Sequence, residues 1–374
     1  MKIYWFMLAW VIMFGMMSQM RAKYVCIGEE IYEARTNLFM ALVTFSVIIF
    51  FAGMRSHVAD TTAYIKMFND YPLFSEARDV LLDSSAREPG FRLFSILIKT
   101  YISDNYSVWL WIIAIISGIS VMVPLYKYSC DFGVSAFLFM ASCQFIWMFN
   151  GMRQFLVASV IFACTGLILR SKTILYIVIV CILSTIHISA LILIPMYFIA
   201  KGEPWNKRTI LFIGAIILAM VFADRFTNLL TGVVETTDYA TSVEEFKDTD
   251  DGTSVIRILV ESVPIIIAFV YRDKIKDKLT PVIKLSINMS LIASGLYVIS
   301  KIARSGILLG RLPIYFSMYN LILLPWLLQN IFEKREKDLI YYTMIVCYFG
   351  FFYYQMCVAW GGMEYNSTML NIGY

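Results

Sequence analysis

The chain is a succession of apolar runs, each near the length that crosses a bilayer, parted by short polar loops. That pattern leaves few folds open. In hydrocarbon every backbone N–H and C=O must be satisfied inside the protein, and a helix does this within one segment. A spanning helix takes about 20 apolar residues. Leu339–Trp360 exceeds that length, while Tyr4–Gln19, Leu38–Gly53 and Val134–Phe149 fall slightly short. Composition points the same way: 60% of the 374 residues are hydrophobic and 16% are charged, against about 25% charged in a soluble domain. A soluble enzyme, a disordered chain and a basic nucleic-acid binder are excluded, since a net charge of +4 is no polyelectrolyte.

The expected fold is all-α: a polytopic integral membrane protein, one transmembrane helical domain over residues 1–374 with about 12 spans. They fall near residues 3–20, 37–54, 106–126, 134–150, 152–169, 173–186, 187–200, 208–223, 255–271, 281–300, 312–330 and 339–360. Parity decides the pair at 173–200. Arg170 and Lys172 precede it and Lys201, Lys207 and Arg208 follow, so both flanks are cytoplasmic by the positive-inside rule and the chain crosses twice. Residues 89–102 are apolar but too short to cross, which predicts a re-entrant or interfacial helix. Lys2 precedes the first run as in a signal peptide, yet Met17-Ser18-Gln19-Met20 offers no small-x-small cleavage site, so that run reads as an uncleaved span. Seven scattered cysteines form no CxxC pair and read as small buried hydrophobes.

With both termini outside, the cytoplasmic loops hold seventeen Lys and Arg and ten Asp and Glu, a net +7; the outer side is left at −3. The outer cations matter more than their number. Arg55, Arg87, Arg92, Arg153, Arg257, Arg304 and Arg311 lie at or within helix ends. Orientation does not require them, and an arginine in a span is costly unless paired or hydrated. Arginine suits planar, bidentate contacts with phosphate. Two outer loops are long: 54–89, which bears motifs, and 224–254, which is acidic and reads as a solvated surface.

Five short elements carry chemistry, each with a structural alternative. In Arg55–Tyr64, Asp60 and Tyr64 are four apart and share a helical face, so a cation and a carboxylate flank a sugar or phosphate; alternatively Arg55 snorkels to the interface and Asp60 caps the helix that follows. In Arg87-Glu88-Pro89, Pro89 suits a first helical turn, with Glu88 near its positive end. Asn150-Gly151 makes a tight turn from which Arg153 and Gln154 open a helix, a cramped place for a charge. His187 is one of only two histidines; at an outward hairpin tip it is either a proton carrier or a buried, hydrogen-bonded residue. Lys301, Arg304 and Arg311 form a cationic stretch with no acid between Lys301 and Pro313, which calls for an anion from elsewhere. GxGxxG, P-loop, HExxH, GxSxG and CxxC signatures are absent, and Asp250-Asp251-Gly252 lacks EF-hand spacing; no metal and no cofactor are expected.

Taken in order, these elements resemble the EpsG family of Wzy-like exopolysaccharide polymerases. The resemblance rests on Arg55, Asp60, Thr61 and Tyr64; on Glu88, Pro89, Gly90 and Phe91; on Asn150, Arg153 and Gln154; on His187, Ser189 and Ala190; and on Arg311, Tyr315 and Phe316. It covers roughly residues 40–330. Val58-Ala59 departs from the Gly-Thr pair that the family usually places ahead of the Asp.

The resemblance implies a multi-pass enzyme of the bacterial cytoplasmic (inner) membrane with its active face outward. Its substrates would be undecaprenyl-pyrophosphate-linked oligosaccharides, the growing chain passing from its lipid carrier to the non-reducing end of the next unit. His187, Asp60 or Glu88 would handle the proton. Arg55, Tyr64, Asn150, Arg153, Gln154, Arg304 and Arg311 would bind pyrophosphate and sugar. Membrane lipids, a chain-length regulator and a flippase are the partners implied; nucleic acid is not. An O-antigen ligase-like transferase and a transporter or flippase for lipid-linked sugars are the competing readings, the first needing a larger late external loop and the second internal repeats.

Overall fold

The computed structural model describes residues 1–28, 31–78, 80, 88–222, 253–303 and 309–373. The acidic loop at 224–254, for all but its last two residues, and the sites expected at Arg87 and Arg304 therefore lie outside the described residues.

The chain is helical, and each expected span coincides with helical structure. In order come α1 (Lys2–Met20), α2 (Leu38–Met54), α3 (Thr61–Asp70), α4 (Pro89–Tyr101), α5 (Tyr106–Tyr128), α6 (Phe132–Ala141), α7 (Met152–Ala163), α8 (Thr165–Leu169), α9 (Thr173–Ser184), α10 (Leu193–Ala200), α11 (Lys207–Val221), α12 (Val255–Val270), α13 (Pro281–Ile302), α14 (Asn320–Ile331) and α15 (Lys334–Tyr354). Among the described residues four helices are long and apolar enough to cross a membrane: Lys2–Met20, Tyr106–Tyr128, Pro281–Ile302 and Arg335–Ala359. Five further expected spans are shorter apolar helices, Leu38–Met54, Phe132–Ala141, Met152–Ala163, Thr173–Ser184 and Ile188–Ala200, so among the described residues the count of twelve full-length crossings is not reached. The stretch expected at 134–150 breaks at Cys143, whose φ of 62° no α-helix accommodates, and resumes as the 3-10 turn Gln144–Met148. The stretch at 187–200 likewise starts as a 3-10 turn, Ile188–Ile192. One loop adds a small antiparallel hairpin to the helical fold, β1 (Lys23–Gly28) with β2 (Ile31–Arg35), Lys23 facing Arg35; aromatic and β-branched residues are dense there.

Packing divides the chain into two compact units, residues 1–193 with 332–374 and residues 194–331. In the first, the short helices α3 and α4 settle on α5 and α7. Trp109 is fully buried and stacks on Phe68 at 4.8 Å, and its Nε1 donates to Ser95 Oγ on α4 (3.2 Å). Tyr64, Phe91, Met152 and Leu156 complete this core. Helix α4 has 13 residues, about 20 Å at 1.5 Å per residue. It is too short to span, as its sequence requires. Lys99 near its end donates to the carbonyls of Phe68, Asn69 and Tyr71 (3.2, 2.6 and 2.5 Å). A cation thereby closes the negative end of α3 and fixes Tyr64 and Glu88 on neighbouring supports.

Candidate active site

Arg55 follows the last residue of α2 and is 2% exposed. Its Nε donates to Thr61 Oγ1 (3.1 Å), one terminal nitrogen donates to the Ala52 carbonyl, and the other reaches Met152 Sδ (3.0 Å). The guanidinium also lies 5.7 Å from the centre of the Phe149 ring. The snorkelling alternative is thereby overturned: Ala52 is one of the carbonyls a helix leaves open at its C-terminus, and turning inward satisfies it. One cation ties the end of α2 to the starts of α3 and α7. Burial pulls its pKa down to about 10, with Asp60 opposing, so the charge persists at neutral pH.

Asp60 occupies the N-cap position of α3 but makes no capping bond there. Its Oδ2 instead accepts from the Gly151 backbone N–H (3.3 Å). Gly151 has φ of 73°, a left-handed turn that glycine adopts without cost and that aims its N–H at the carboxylate. The loop after α2 and the hairpin before α7 are joined through this bond.

Glu88, Arg153, Tyr64 and His187 meet beside them. Arg153 Nη1 pairs with Glu88 Oε2 at 2.5 Å, and Arg153 Nε donates to the Tyr64 hydroxyl oxygen (3.2 Å). The guanidinium stands 5.3 and 5.6 Å from the ring centres of Tyr64 and Phe91. Burial raises the Tyr64 pKa against the pull of Arg153, so the phenol keeps its proton to donate. His187 Nδ1 lies 3.6 Å from Glu88 Oε1. The carboxylate is only 7% exposed, Arg153 33% and His187 21%, so the acid backs two groups that a ligand can reach. Glu88 holds φ of 57°, an uncommon conformation for a non-glycine residue that persists where its surroundings fix it. What fixes it is visible: the Gly90 N–H donates to the Thr185 carbonyl (2.9 Å), and a Cβ on Gly90 would overlap Thr185. That contact sets the start of α4 against the turn that carries His187.

A family model described as the EpsG family matches residues 38–367. The chain belongs to the EpsG family. EpsG is a Wzy-like polymerase family, which places this protein among membrane-embedded proteins of exopolysaccharide-polymerase type. No curated protein and no solved structure gives a significant match to it.

Within this EpsG chain, eight of the expected site residues lie in the first unit, Arg55, Asp60, Tyr64, Glu88, Arg153, Gln154 and His187 among them. Asn150 is there too, half-buried in the turn before α7, its N–H donating to the Ile146 carbonyl (2.9 Å). Arg311 belongs to the second unit, half-buried just before the turn Ile314–Ser317. That unit also contains a buried pair not foreseen as such, Arg257 and Glu261 at 3.7 Å on α12. Asn320 Nδ2 donates to the Glu261 carbonyl and carboxylate (both 3.0 Å), and the Tyr297 hydroxyl bonds Arg257 and Ser317. Among the described residues no group of three or more His, Cys, Asp or Glu converges as a metal site would.

Two features went unforeseen in the first unit. Ser189 lies between His187 and Gln154: Gln154 Nε2 donates to Ser189 Oγ (3.2 Å), which stands 3.0 Å from His187 Nδ1. The second is a C-terminal strap. Asn366 pairs with His57, the Ser56 N–H donates to the Asn366 carbonyl (3.0 Å), and the Ala59 N–H donates to the Gly362 carbonyl (3.1 Å). Ser367 Oγ donates to the Met54 carbonyl (2.5 Å) and Tyr365 donates its hydroxyl to the Phe51 carbonyl (3.1 Å). The strap clamps the backbone around Arg55, and the EpsG match runs into it, ending at Ser367.

Proposed function

We propose that this protein polymerises polyprenyl-pyrophosphate-linked oligosaccharide repeat units on the outer face of the bacterial cytoplasmic membrane. The observation that carries the reading is the Arg153–Glu88–His187 cluster, a reachable cation and imidazole on a buried carboxylate, in a chain of a polymerase-type family. In the reaction a hydroxyl of the acceptor unit attacks the anomeric carbon of the donor chain. A carbon–oxygen bond forms, the bond to pyrophosphate breaks, and the electron pair leaves on the lipid pyrophosphate.

Arg153 and Tyr64 meet that leaving group. Guanidinium and phenol donors aimed at charge that develops in the transition state lower the barrier more than any contact equal in both states. The proton of the acceptor hydroxyl passes to the Glu88 carboxylate. Arg55 acts from inside the protein, as the cation that positions α3 and α7; Asp60 sets the hairpin that presents Arg153 and Gln154. An apolar groove of about 530 Å³ walled by Phe6, Trp10, Phe50, Phe51 and Trp111 offers room for an isoprenoid tail.

The test is the fate of repeat units in cells that carry Arg153→Ala in place of the native chain. Single lipid-linked units accumulating on the outer face support polymerisation. Accumulation on the inner face would mean transport, and full-length polymer free of its normal acceptor would mean a ligase.

A further inference from the structure

The backbone N–H of Ser189 can only donate, and it points at His187 Nδ1 (3.4 Å). Nδ1 is therefore the lone-pair nitrogen. The Ser189 hydroxyl reinforces this. Its oxygen accepts from Gln154 Nε2 (3.2 Å), which leaves its own hydrogen to donate to Nδ1 (3.0 Å). Gln154 is 3% exposed and belongs to α7, two residues into the helix that also carries Arg153. Glu88 Oε1 also faces Nδ1, but at 3.6 Å it stands outside hydrogen-bond distance; with the two nearer donors on Nδ1, the neutral ring carries its proton on Nε2.

The geometry points to His187 as a hydrogen-bond donor through Nε2–H in its resting state, held there by a Gln154–Ser189 relay, and not as the base. This rests on the reading of the Glu88 cluster as the reaction centre. Bond by bond, the acceptor oxygen joins the anomeric carbon as the carbon–pyrophosphate bond breaks; the electron pair goes to the pyrophosphate, whose oxygen accepts from His187 Nε2–H. The acceptor proton goes to a carboxylate, and Glu88, whose Oε1 lies 3.6 Å from His187 Nδ1 on the side of the ring away from Nε2–H, is the one in the cluster. Ser189 and Gln154 are positioning residues: neither touches the reacting atoms, and each acts through the imidazole.

The tautomer can be read directly. The full-length protein, ¹⁵N-labelled at histidine and reconstituted in lipid with His57→Gln, has one histidine left, and its two ring nitrogens report which carries the proton at a pH where the ring is neutral. The expected result is a single Nε2–H species in the native background. Gln154→Glu places an acceptor where a donor stood, turns the serine hydroxyl away from Nδ1, and moves a large share of the population to Nδ1–H. Ser189→Ala moves a smaller share, because the backbone N–H remains, and Ser189→Thr restores the native spectrum. Activity gives the second readout. Gln at position 187 still offers an N–H donor, so His187→Gln retains polymerisation within about tenfold, whereas His187→Ala loses 10²-fold or more, the scale of one missing transition-state donor. An Nδ1–H spectrum in the native protein, or equal losses for the two His187 variants, would overturn the donor role. An Nε2–H spectrum in a protein that makes no polymer would uphold the relay and sink the polymerase reading alone.

Discussion

Replacing Arg153 with Ala separates what this residue does for stability from what it does for chemistry. In the folded protein Arg153 makes one charge-assisted bond to Glu88 and one to Tyr64, together worth on the order of 2–4 kcal/mol. Its two ring contacts add about 1 kcal/mol at a site one-third open to water. Much of the loss is the cost of a carboxylate that stays buried without its cation. Glu88→Gln in the same chain removes that charge and is expected to return about 1–3 kcal/mol. The catalytic loss does not return, because the missing donor to the leaving pyrophosphate is worth about 10²–10³ in rate. Thermal unfolding in a fixed detergent gives the order of stabilities: native, then the double variant, then Arg153→Ala. Polymer yield per hour from lipid-linked units gives near-native output for the first and little for the other two. Two results would rule out these roles for Arg153. One is Arg153→Ala making full-length polymer at the native rate. The other is the two variants unfolding at the same temperature.

Other outcomes follow from the same contacts. Gly90→Ala puts a methyl into Thr185 and pushes the start of α4 off the His187 turn; a tenfold or greater fall in polymerisation with normal membrane insertion is expected, and unchanged activity would count against the placement of Glu88. Ending the chain before Gly361 removes the strap bonds to Ser56, His57 and Ala59; limited proteolysis near Arg55 should quicken and polymer output fall, whereas native cleavage rates would show that the strap does not hold that loop. In the second unit, Arg257→Leu leaves Glu261 buried without its cation and should cost about 3–5 kcal/mol; adding Glu261→Gln should recover most of it, since the amide still meets Asn320, and additive losses would contradict a paired interaction.

Much of the fold was legible because hydrocarbon permits little else: an apolar run near bilayer length becomes helix, and helical structure forms along every expected span. Where those helices break was not legible. Cys143 looks like any small apolar residue until its left-handed φ is seen. The site was legible as a set of motifs rather than as geometry. Arg55 near a helix end reads the same in sequence whether it snorkels or turns inward, and the Ala52 carbonyl decides. Asp60 follows the pattern of an N-cap, yet its bond goes to Gly151, ninety-one residues away, a partner no local pattern names. The strap works largely through the backbone of Gly362 and Asn366, and backbone bonds leave no residue signature. Ser189 stood inside the His-x-Ser-Ala element all along; what identifies it is that its backbone donor faces a ring nitrogen.

Polymerisation is tested most directly by reconstituting the purified full-length protein in vesicles with polyprenyl-pyrophosphate-linked repeat units as the only sugar substrate. A polymerase yields a ladder of chains of two, three and more repeats on lipid, with one lipid pyrophosphate released for each linkage made. Repeat units that cross the membrane or pass to another acceptor without ever joining one another would contradict polymerisation.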